Sequence, residues 1–530
     1  MKTDVLIIGG GLAGIAAAIE LLEGGMQVAL IDRNSEDRFG GLARWALGGL
    51  FYVDSPFQRK ARIKDSHEQA LADWYSYAEF GPGDELPRQW AEQYVTRCIP
   101  DVYEWLKPMG VKYVPSVQWV ERGLDVPGNS VPRFHVVWGA GEGLVEALLR
   151  RLRAVQGNRL TLYFRHKATS FLLRNGAVNG ARVINEQNGE AFEIQADAVI
   201  AAAGGITGDV EAVRRHWYQP WGAAPPHFLS GSHLAANGDI HETARRTGAR
   251  ITHLDLQWNY AAGVHHPDAD HPLHGLSLIP PKTALWTNAR GERIGPRPLI
   301  SGFDTRYLVE AVARQPGGYS WQILNRKIAL KELGVSGSKY NDALRERNAP
   351  AFIANLLFGN RSLYQMLTQR SRDVVLAGTV EELARKMNEL AGTQEVDAAA
   401  LRSALEAYDT ALRNRDMDDE QVRRLAQLRE YSGDRLRTCN FQPILDPAAG
   451  PLMAIREFIL TRKTLGGIQT DLRSRVLNEA GQPIQGLYAI GESAGFGGGG
   501  IHGRRALEGT FLGNCIFNAR VAARSLRSPR

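Results

Sequence analysis

One glycine-spaced turn near the start of the chain constrains the fold more than any other feature. Val5-Leu6-Ile7-Ile8 is a short continuous apolar run, the pattern of a parallel strand buried on both faces. Gly9-Gly10-Gly11-Leu12-Ala13-Gly14 follows, with Gly-x-Gly-x-x-Gly spacing. Gly9 permits the turn out of the strand. Gly11 lets a diphosphate approach the backbone because it has no Cβ, and Gly14 lets the next helix pack closely on the strand. The pattern predicts a helix over residues 12–22, whose unpaired N–H groups and positive dipole end stabilise the diphosphate. Gly25 ends that helix and Val28-Ala29-Leu30-Ile31 predicts a second strand. Asp32 closes that strand, where a carboxylate can accept hydrogen bonds from ribose hydroxyls. Arg33 beside it joins the candidate cofactor contacts.

Further glycine segments repeat this punctuation, the first shortly after Asp32 and the others far along the chain. Gly40-Gly41-Leu42-Ala43 and Gly48-Gly49 bracket a loop that could pass close to a flat or anionic ligand, or be a plain glycine-rich turn. Ala198-Val199-Ile200-Ala201-Ala202-Ala203-Gly204-Gly205 reads as a strand and a glycine turn. Leu487-Tyr488-Ala489-Ile490-Gly491-Glu492 reads as another buried strand ending in glycine and an acid. A dense glycine cluster over 495–509 precedes a predicted helix over 510–526.

Size and composition set outer bounds. A chain of 530 residues is expected to fold as two or three units. No run of about 18 apolar residues occurs, so no integral membrane segment is expected. The start lacks a basic region, a cleavage site and a twin-arginine pattern, so a cytoplasmic protein is expected. The net charge is +6 and the pI about 9.1. The basic residues are dispersed through amphipathic stretches, which argues against a nucleic-acid partner. The three cysteines form no Cys-x-x-Cys pair, so neither zinc nor a disulfide framework is expected. His265, His266, His271 and His274 are interrupted by Pro267 and Pro272, so they read as a polar loop and no metal is expected.

These segments resemble the fumarate reductase / succinate dehydrogenase flavoprotein superfamily. Within it the chain is most similar to the 3-ketosteroid dehydrogenase-like FAD-binding dehydrogenases, most strongly over 4–50, 196–205, 237–249 and 464–515. The resemblance implies FAD as cofactor. It implies an α/β fold with a Rossmann-like, glutathione-reductase-type FAD-binding domain, discontinuous in sequence (1–250 and 441–530). It also implies an inserted α+β capping and substrate domain over 251–440, with the active site between the two. Residues 157–195 have strand character and suggest a small antiparallel layer, and helices are expected near 380–391 and 397–430. By resemblance Glu492 lies along the ribityl chain, and Gly509, Thr510, Phe511 and Leu512 present backbone N–H groups to the flavin. Asp239, in Asn237-Gly238-Asp239, joins the cofactor set. Covalent members carry a His before the second glycine pair. Leu42-Ala43-Arg44-Trp45-Ala46-Leu47 has none, so non-covalent FAD is expected.

The expected reaction is oxidation or reduction of a CH–CH bond next to a carbonyl, in a steroid-like or other apolar ring. Such chemistry needs a hydride acceptor, a base and a donor to the carbonyl. Gly509 resembles the glycine from which ketosteroid dehydrogenases donate an N–H to substrate. The Tyr that stands four residues before it in those enzymes is Arg505 here. His502, Tyr260 and Tyr319 are the replacement candidates for the base, and His502 could equally be structural. A dicarboxylate reductase or oxidase is the alternative. Its clamping Arg position holds Ala506, its His is Lys463, and Thr305-Arg306 does match the family's Thr-Arg. One displaced Arg is not a conservative change. From another class, an FAD-containing nucleic-acid-binding protein is allowed by the pI. Trp258, Tyr260, Trp286, Tyr319 and Trp321 could wall an apolar substrate or fill a core. The apolar stretch 351–358 reads as a buried helix, with a membrane contact or an entrance guard as alternatives. The substrate and the electron acceptor are not identified by the sequence.

Overall fold

A computed structural model of the chain describes residues 2–527. It divides into two compact units. Met1–Trp217, Ser232–Trp258 and Arg462–Arg530 form the first, and Tyr218–Gly231 and Asn259–Thr461 form the second. The sequence reading divides the chain at 250 and 440; compact packing takes Tyr218–Gly231 into the second unit and otherwise changes unit inside the strands Gln257–His265 and Leu452–Thr464.

In the first unit an eight-stranded sheet runs Arg475–Leu477, Pro483–Ala489, Ala191–Ala201, Lys2–Ile8, Val28–Asp32, Leu160–Phe164, with two further strands attached. Neighbours from Pro483–Ala489 to Leu160–Phe164 are parallel. Leu487 lies beside Val199, Val5 beside both Ala198 and Val28, and Val28 beside Leu160. Val5, Leu6 and Ile7 are fully buried, which is why that run has no polar alternation. Ala191–Ala201 pairs antiparallel with Ala177–Asn185 through its first half and parallel with Lys2–Ile8 through its second. Ala177–Asn185 in turn pairs with His166–Arg174. The expected antiparallel layer over 157–195 therefore begins later than predicted. Leu160–Phe164 is the edge of the parallel sheet, in register with Val28–Asp32.

The first helix, Leu12–Glu23, packs against both Ala140–Val155 and the last helix, Thr510–Arg527. Glu20 is buried on the first helix and accepts from Arg520 Nε at 2.8 Å and Arg524 Nε at 3.3 Å. Asp101 accepts from Arg524 Nη1 at 2.8 Å. Buried ions survive only when paired, so this network fixes the two ends of the chain against each other.

The second unit holds another eight-stranded sheet, ordered Leu285–Thr287, Tyr319–Asn325, Leu452–Thr464, Gln257–His265, Gly275–Ile279, Gly334–Val335. Val374–Ala377 and Phe228–Ser230 also pair with Leu452–Thr464. The helix expected over 397–430 is two helices, Ala398–Asn414 and Glu420–Glu430. Arg415 takes a left-handed φ of 50° and Asp419 caps the second helix through Val422 N–H. The helix Ala349–Phe358 has no buried residue, which overturns the expectation that this apolar stretch is core. Among the described residues no helix is long and apolar enough to cross a membrane, and no group of three or more His, Cys, Asp or Glu side chains could hold a metal ion.

Glu457 lies opposite Ser320 in this sheet, fully buried, with neither carboxylate oxygen hydrogen-bonded. Burial alone pushes its carboxyl well above the usual range, so it stays protonated in the folded state. Unfolding releases that proton once the pH exceeds the ordinary carboxyl value of about 4.3, so this residue costs stability increasingly as pH rises toward the folded value. Glu457→Met should therefore stabilise the protein at pH 8 by about 1–3 kcal/mol, the usual cost of an unsatisfied buried polar group. Chemical denaturation at pH 8 and pH 5 should show the gap narrowing at the lower pH.

Candidate functional site

In the first unit the glycine turns gather at the carboxyl ends of the parallel strands. Gly9 has φ of +113°, and a Cβ there would lie 2.2 Å from the Ala202 carbonyl oxygen. A Cβ on Gly14 would lie 2.0 Å from the Gly9 carbonyl oxygen. Protein packing thus demands both glycines. Gly11 is different, since a Cβ there would meet no protein atom within 4 Å. It occupies the N-cap position of Leu12–Glu23, makes no side-chain cap, and the first turn carries no acid. The space beside Gly11 adjoins the unpaired N–H groups of a helix start, which suits an anion. FAD, with its diphosphate, fits this cradle.

Asp32 is buried beneath the turn. Its Oδ2 accepts from Gly10 N–H at 2.6 Å and its Oδ1 from Asn34 N–H at 2.7 Å. Burial raises its pKa, against those hydrogen bonds and Arg33. The carboxylate therefore anchors the glycine turn, a role the sequence did not announce. Lone pairs on both oxygens stay available for ribose. Arg33 binds Glu186 at 2.7 Å and Asp239 at 3.1 Å, and Asp239 also binds Lys167 at 2.6 Å. Arg33 and Asp239, both candidates, are thus brought together.

The second glycine loop lies directly on the first. Gly40 N–H donates to the Gly10 carbonyl at 2.9 Å, and a Cβ on Gly41 would lie 3.2 Å from Gly11 Cα. Leu42 and Ala43 form the 3₁₀ turn Gly41–Trp45. Protein packing also demands Gly48 and Gly49, because their Cβ atoms would strike the Ala140 backbone at 2.6 Å and the Phe134 ring at 1.9 Å.

Distant segments also converge at Glu492. Its Oε1 accepts from Thr464 N–H at 2.9 Å, and Thr464 Oγ1 accepts from Ile206 N–H at 3.0 Å. A Cβ on Gly205 would lie 2.5 Å from Glu492 Oε1. Ser493 Oγ donates to the Gly204 carbonyl at 2.9 Å, which fixes the Ala203-Gly204-Gly205 turn. A Cβ on Gly491 would lie 2.8 Å from Ala13 Cβ. Residues 9–14 and 491–492 are therefore neighbours, although nearly the whole chain separates them. Burial raises Glu492 to about 7, with Lys463 and Arg462 pulling the other way.

At the start of the last helix, Gly509 has φ of +95° and its carbonyl accepts from Phe51 N–H at 3.0 Å. His502 is buried with Nε2 at 2.8 Å from Thr510 Oγ1. Thr510 donates its own proton to the Leu507 carbonyl at 2.6 Å, so His502 must carry its proton on Nε2. Burial, with Lys463 nearby, lowers His502 to about 3. It is a neutral hydrogen-bond donor in an aromatic setting of Trp74 and Phe511. Arg505 is ion-paired with Glu79.

The sequence reading did not assign Lys463 and Glu508 a role. Lys463 Nζ lies 3.7 Å from Glu508 Oε1 and 3.9 Å from the Phe511 ring centre. Trp258 Nε1–H donates to the same Glu508 oxygen at 2.8 Å. Burial lowers Lys463 to about 8, with Glu508 opposing and Arg462 reinforcing. A lysine within the strand Leu452–Thr464 was the available signal, but its partner is 45 positions away.

The other candidates lie in the second unit. Tyr260 and Tyr319 pack on one cluster of Leu229, Phe458 and Leu460. The Tyr319 hydroxyl is buried without a hydrogen-bond partner. Arg306 is buried against the rings of Tyr218 and Trp221, 4.6 Å from each. Trp286 and Trp321 are core residues.

Comparison with known proteins supplies the context. A family model described as FAD binding domain matches residues 4–512. A KsdD-like steroid dehydrogenase of Mycobacterium tuberculosis is 41% identical over 545 residues, covering 99% of this chain and 95% of the relative. The structure of 3-ketosteroid delta1-dehydrogenase from Sterolibacterium denitrificans superposes with TM-score 0.72 at 18% identity, covering 99% of both chains. An open-form flavocytochrome c3 fumarate reductase gives TM-score 0.69 at 20% identity, over 99% of this chain and 78% of that one. The two structural likenesses establish a shared flavoprotein fold of mixed α/β sheets.

The glycine geometry separates folding from ligand binding. Gly11→Ala should leave the melting temperature of the flavin-free protein unchanged and weaken FAD binding by roughly tenfold or more, since the new methyl enters the anion cradle. Gly14→Ala should lower the melting temperature of the flavin-free protein itself. Thermal melts and flavin titration of both variants check this.

Proposed function

The chain belongs to the FAD binding domain family, and from that membership we propose that it is an FAD-dependent dehydrogenase acting on a CH–CH bond beside a carbonyl in an apolar, steroid-like ring. The near-full-length identity to a steroid dehydrogenase-like relative supports the substrate class. In this reading the first unit is a Rossmann-like FAD-binding domain and the second is its capping, substrate-holding domain.

Gly9, Gly11, Leu12, Ala13 and Gly14 hold the diphosphate, and Asp32 takes the ribose. Arg33 and Asp239 shape the adenosine end. Gly40, Gly41, Leu42, Ala43, Gly48 and Gly49 line one side, and Ala203, Gly204, Gly205, Gly491 and Glu492 the other. Gly509, Thr510, Phe511 and Leu512 offer the N-terminus of the last helix to the flavin ring, where backbone N–H groups favour negative charge. Bound FAD supplies the hydride acceptor. With no His in 42–47, the cofactor is held non-covalently, so acid precipitation should leave all the yellow colour in the supernatant.

The observation that carries the reading is Lys463, its side chain only 14% exposed, beside Glu508, one residue before Gly509. A lysine lowered to about 8 can take a proton from a carbon next to a carbonyl while Gly509 N–H polarises the oxygen. The unpartnered Tyr319 hydroxyl is the second candidate for the proton-transfer group. The dicarboxylate reading is weaker. Its clamp position is the buried Ala506, Arg505 is engaged by Glu79, and Arg306 is engaged by two rings.

Anaerobic mixing with a 3-ketosteroid should bleach the flavin, whereas fumarate should not reoxidise the reduced protein. The bleaching rate should rise with pH through about 8 as Lys463 loses its proton. Lys463→Met should keep its flavin, lose that pH limb and slow roughly 10²–10⁴-fold. An unchanged profile in that variant would move the role to Tyr319, tested by Tyr319→Phe.

A further inference from the structure

Ala349–Phe358 is a helix with a defined start, in which Asn348 Oδ1 accepts from Ala351 N–H at 3.1 Å and Pro350 sits in the first turn. Its exposure is therefore not fraying. Eight large hydrophobic side chains are exposed among the described residues, and Ile353, Leu357 and Phe358 on this helix are three of them. Phe358 is the most exposed at 72%. A fourth, Leu436, lies on Ser432–Arg437, a helix packed beside the first. Single apolar side chains on a surface are ordinary, but half of the total in one neighbourhood marks an interaction site.

The charges around this patch choose its occupant. The helix carries no acidic residue, and exposed Arg347 and Arg361 stand at its two ends. The neighbouring helix Arg326–Glu332 adds exposed Arg326 and Lys327, and its Lys331 donates to the Leu356 carbonyl at 3.2 Å. The nearby exposed acids Asp342 and Glu346 are both bound by Arg345. An apolar helix without an acid of its own, with an arginine at each end and two more cations on the helix beside it, matches an anionic lipid surface. Ten residues span about 15 Å, half the thickness of a bilayer core, so the helix can lie in the interface and cannot cross it. A symmetric second copy fits poorly, because an isologous contact across this helix would set the Arg347 and Arg361 ends against arginines of the other copy. A footprint of about 15 by 10 Å is also far below the roughly 800 Å² per partner of a stable dimer.

We propose that Ile353, Leu357, Phe358 and Leu436, with the surrounding Arg326, Lys327, Arg347 and Arg361, seat the protein on the surface of an anionic membrane without crossing it.

The test is flotation of the full-length, flavin-loaded protein with vesicles of phosphatidylglycerol or of phosphatidylcholine alone, beside sedimentation velocity without lipid. The wild type should float with phosphatidylglycerol, less with phosphatidylcholine, and less as salt is raised. The double variant Leu357→Glu/Phe358→Glu should keep its flavin and melting temperature, because neither side chain is buried, and partition roughly 100-fold more weakly. Arg347→Glu/Arg361→Glu should abolish the preference for phosphatidylglycerol. The proposal fails if the wild type stays in the supernatant, if Leu357→Glu/Phe358→Glu floats as well as the wild type, or if the wild type is a dimer that this variant splits.

Discussion

Glu20 and Arg520 meet in a buried ion pair at 2.8 Å, five hundred positions apart in the chain. Arg524 and Asp101 complete the network. Neither ion can be left alone in that environment, so the first and last helices are held together. Everything at the candidate cofactor site depends on that closure. It brings Gly491 against Ala13 and lays the start of the last helix beside the strand that begins at Gly49. The cofactor cradle is made of backbone at strand ends, and backbone has no side-chain specificity of its own. Its geometry must come from the packing behind it.

The same economy explains the glycines. Gly9 and Gly14 are small because protein atoms press on them, and Gly11 is small although none does. Packing demands the first two, and the third leaves room for a ligand. Glu492 and Asp32 likewise spend hydrogen bonds on backbone N–H groups of distant turns. Side chains that read as cofactor contacts therefore also hold the turns in place. His502 shows the opposite case, since its proton is committed to Thr510 and burial keeps it neutral.

The parallel strands, the first and last helices and the glycine turns were legible in the sequence because each is local: apolar runs of the right length, bounded by glycine. Lys463 with Glu508 was not, because a strand lysine declares a role only when the fold brings it an acid and an aromatic ring. Leu160–Phe164 was assigned to the wrong layer because its apolar pattern fits a parallel or an antiparallel edge equally, and only the register with Val28–Asp32 decides. The stretch 351–358 was misread because composition reports apolarity and not coverage. Arg415 and Asp419 broke a helix that periodicity carried through them, since the cap depends on backbone dihedrals.

The central claim is that widely separated glycine turns converge on one dinucleotide. Its most direct measurement is a titration of flavin-stripped protein with FAD and, separately, with FMN. FAD should bind at one equivalent per chain with restoration of the yellow chromophore. FMN should bind far more weakly, because it lacks the diphosphate–adenosine half that the Gly9–Gly14 turn and Asp32 are built to hold. Protein that takes up neither flavin, or that binds FMN as tightly as FAD, would contradict the account.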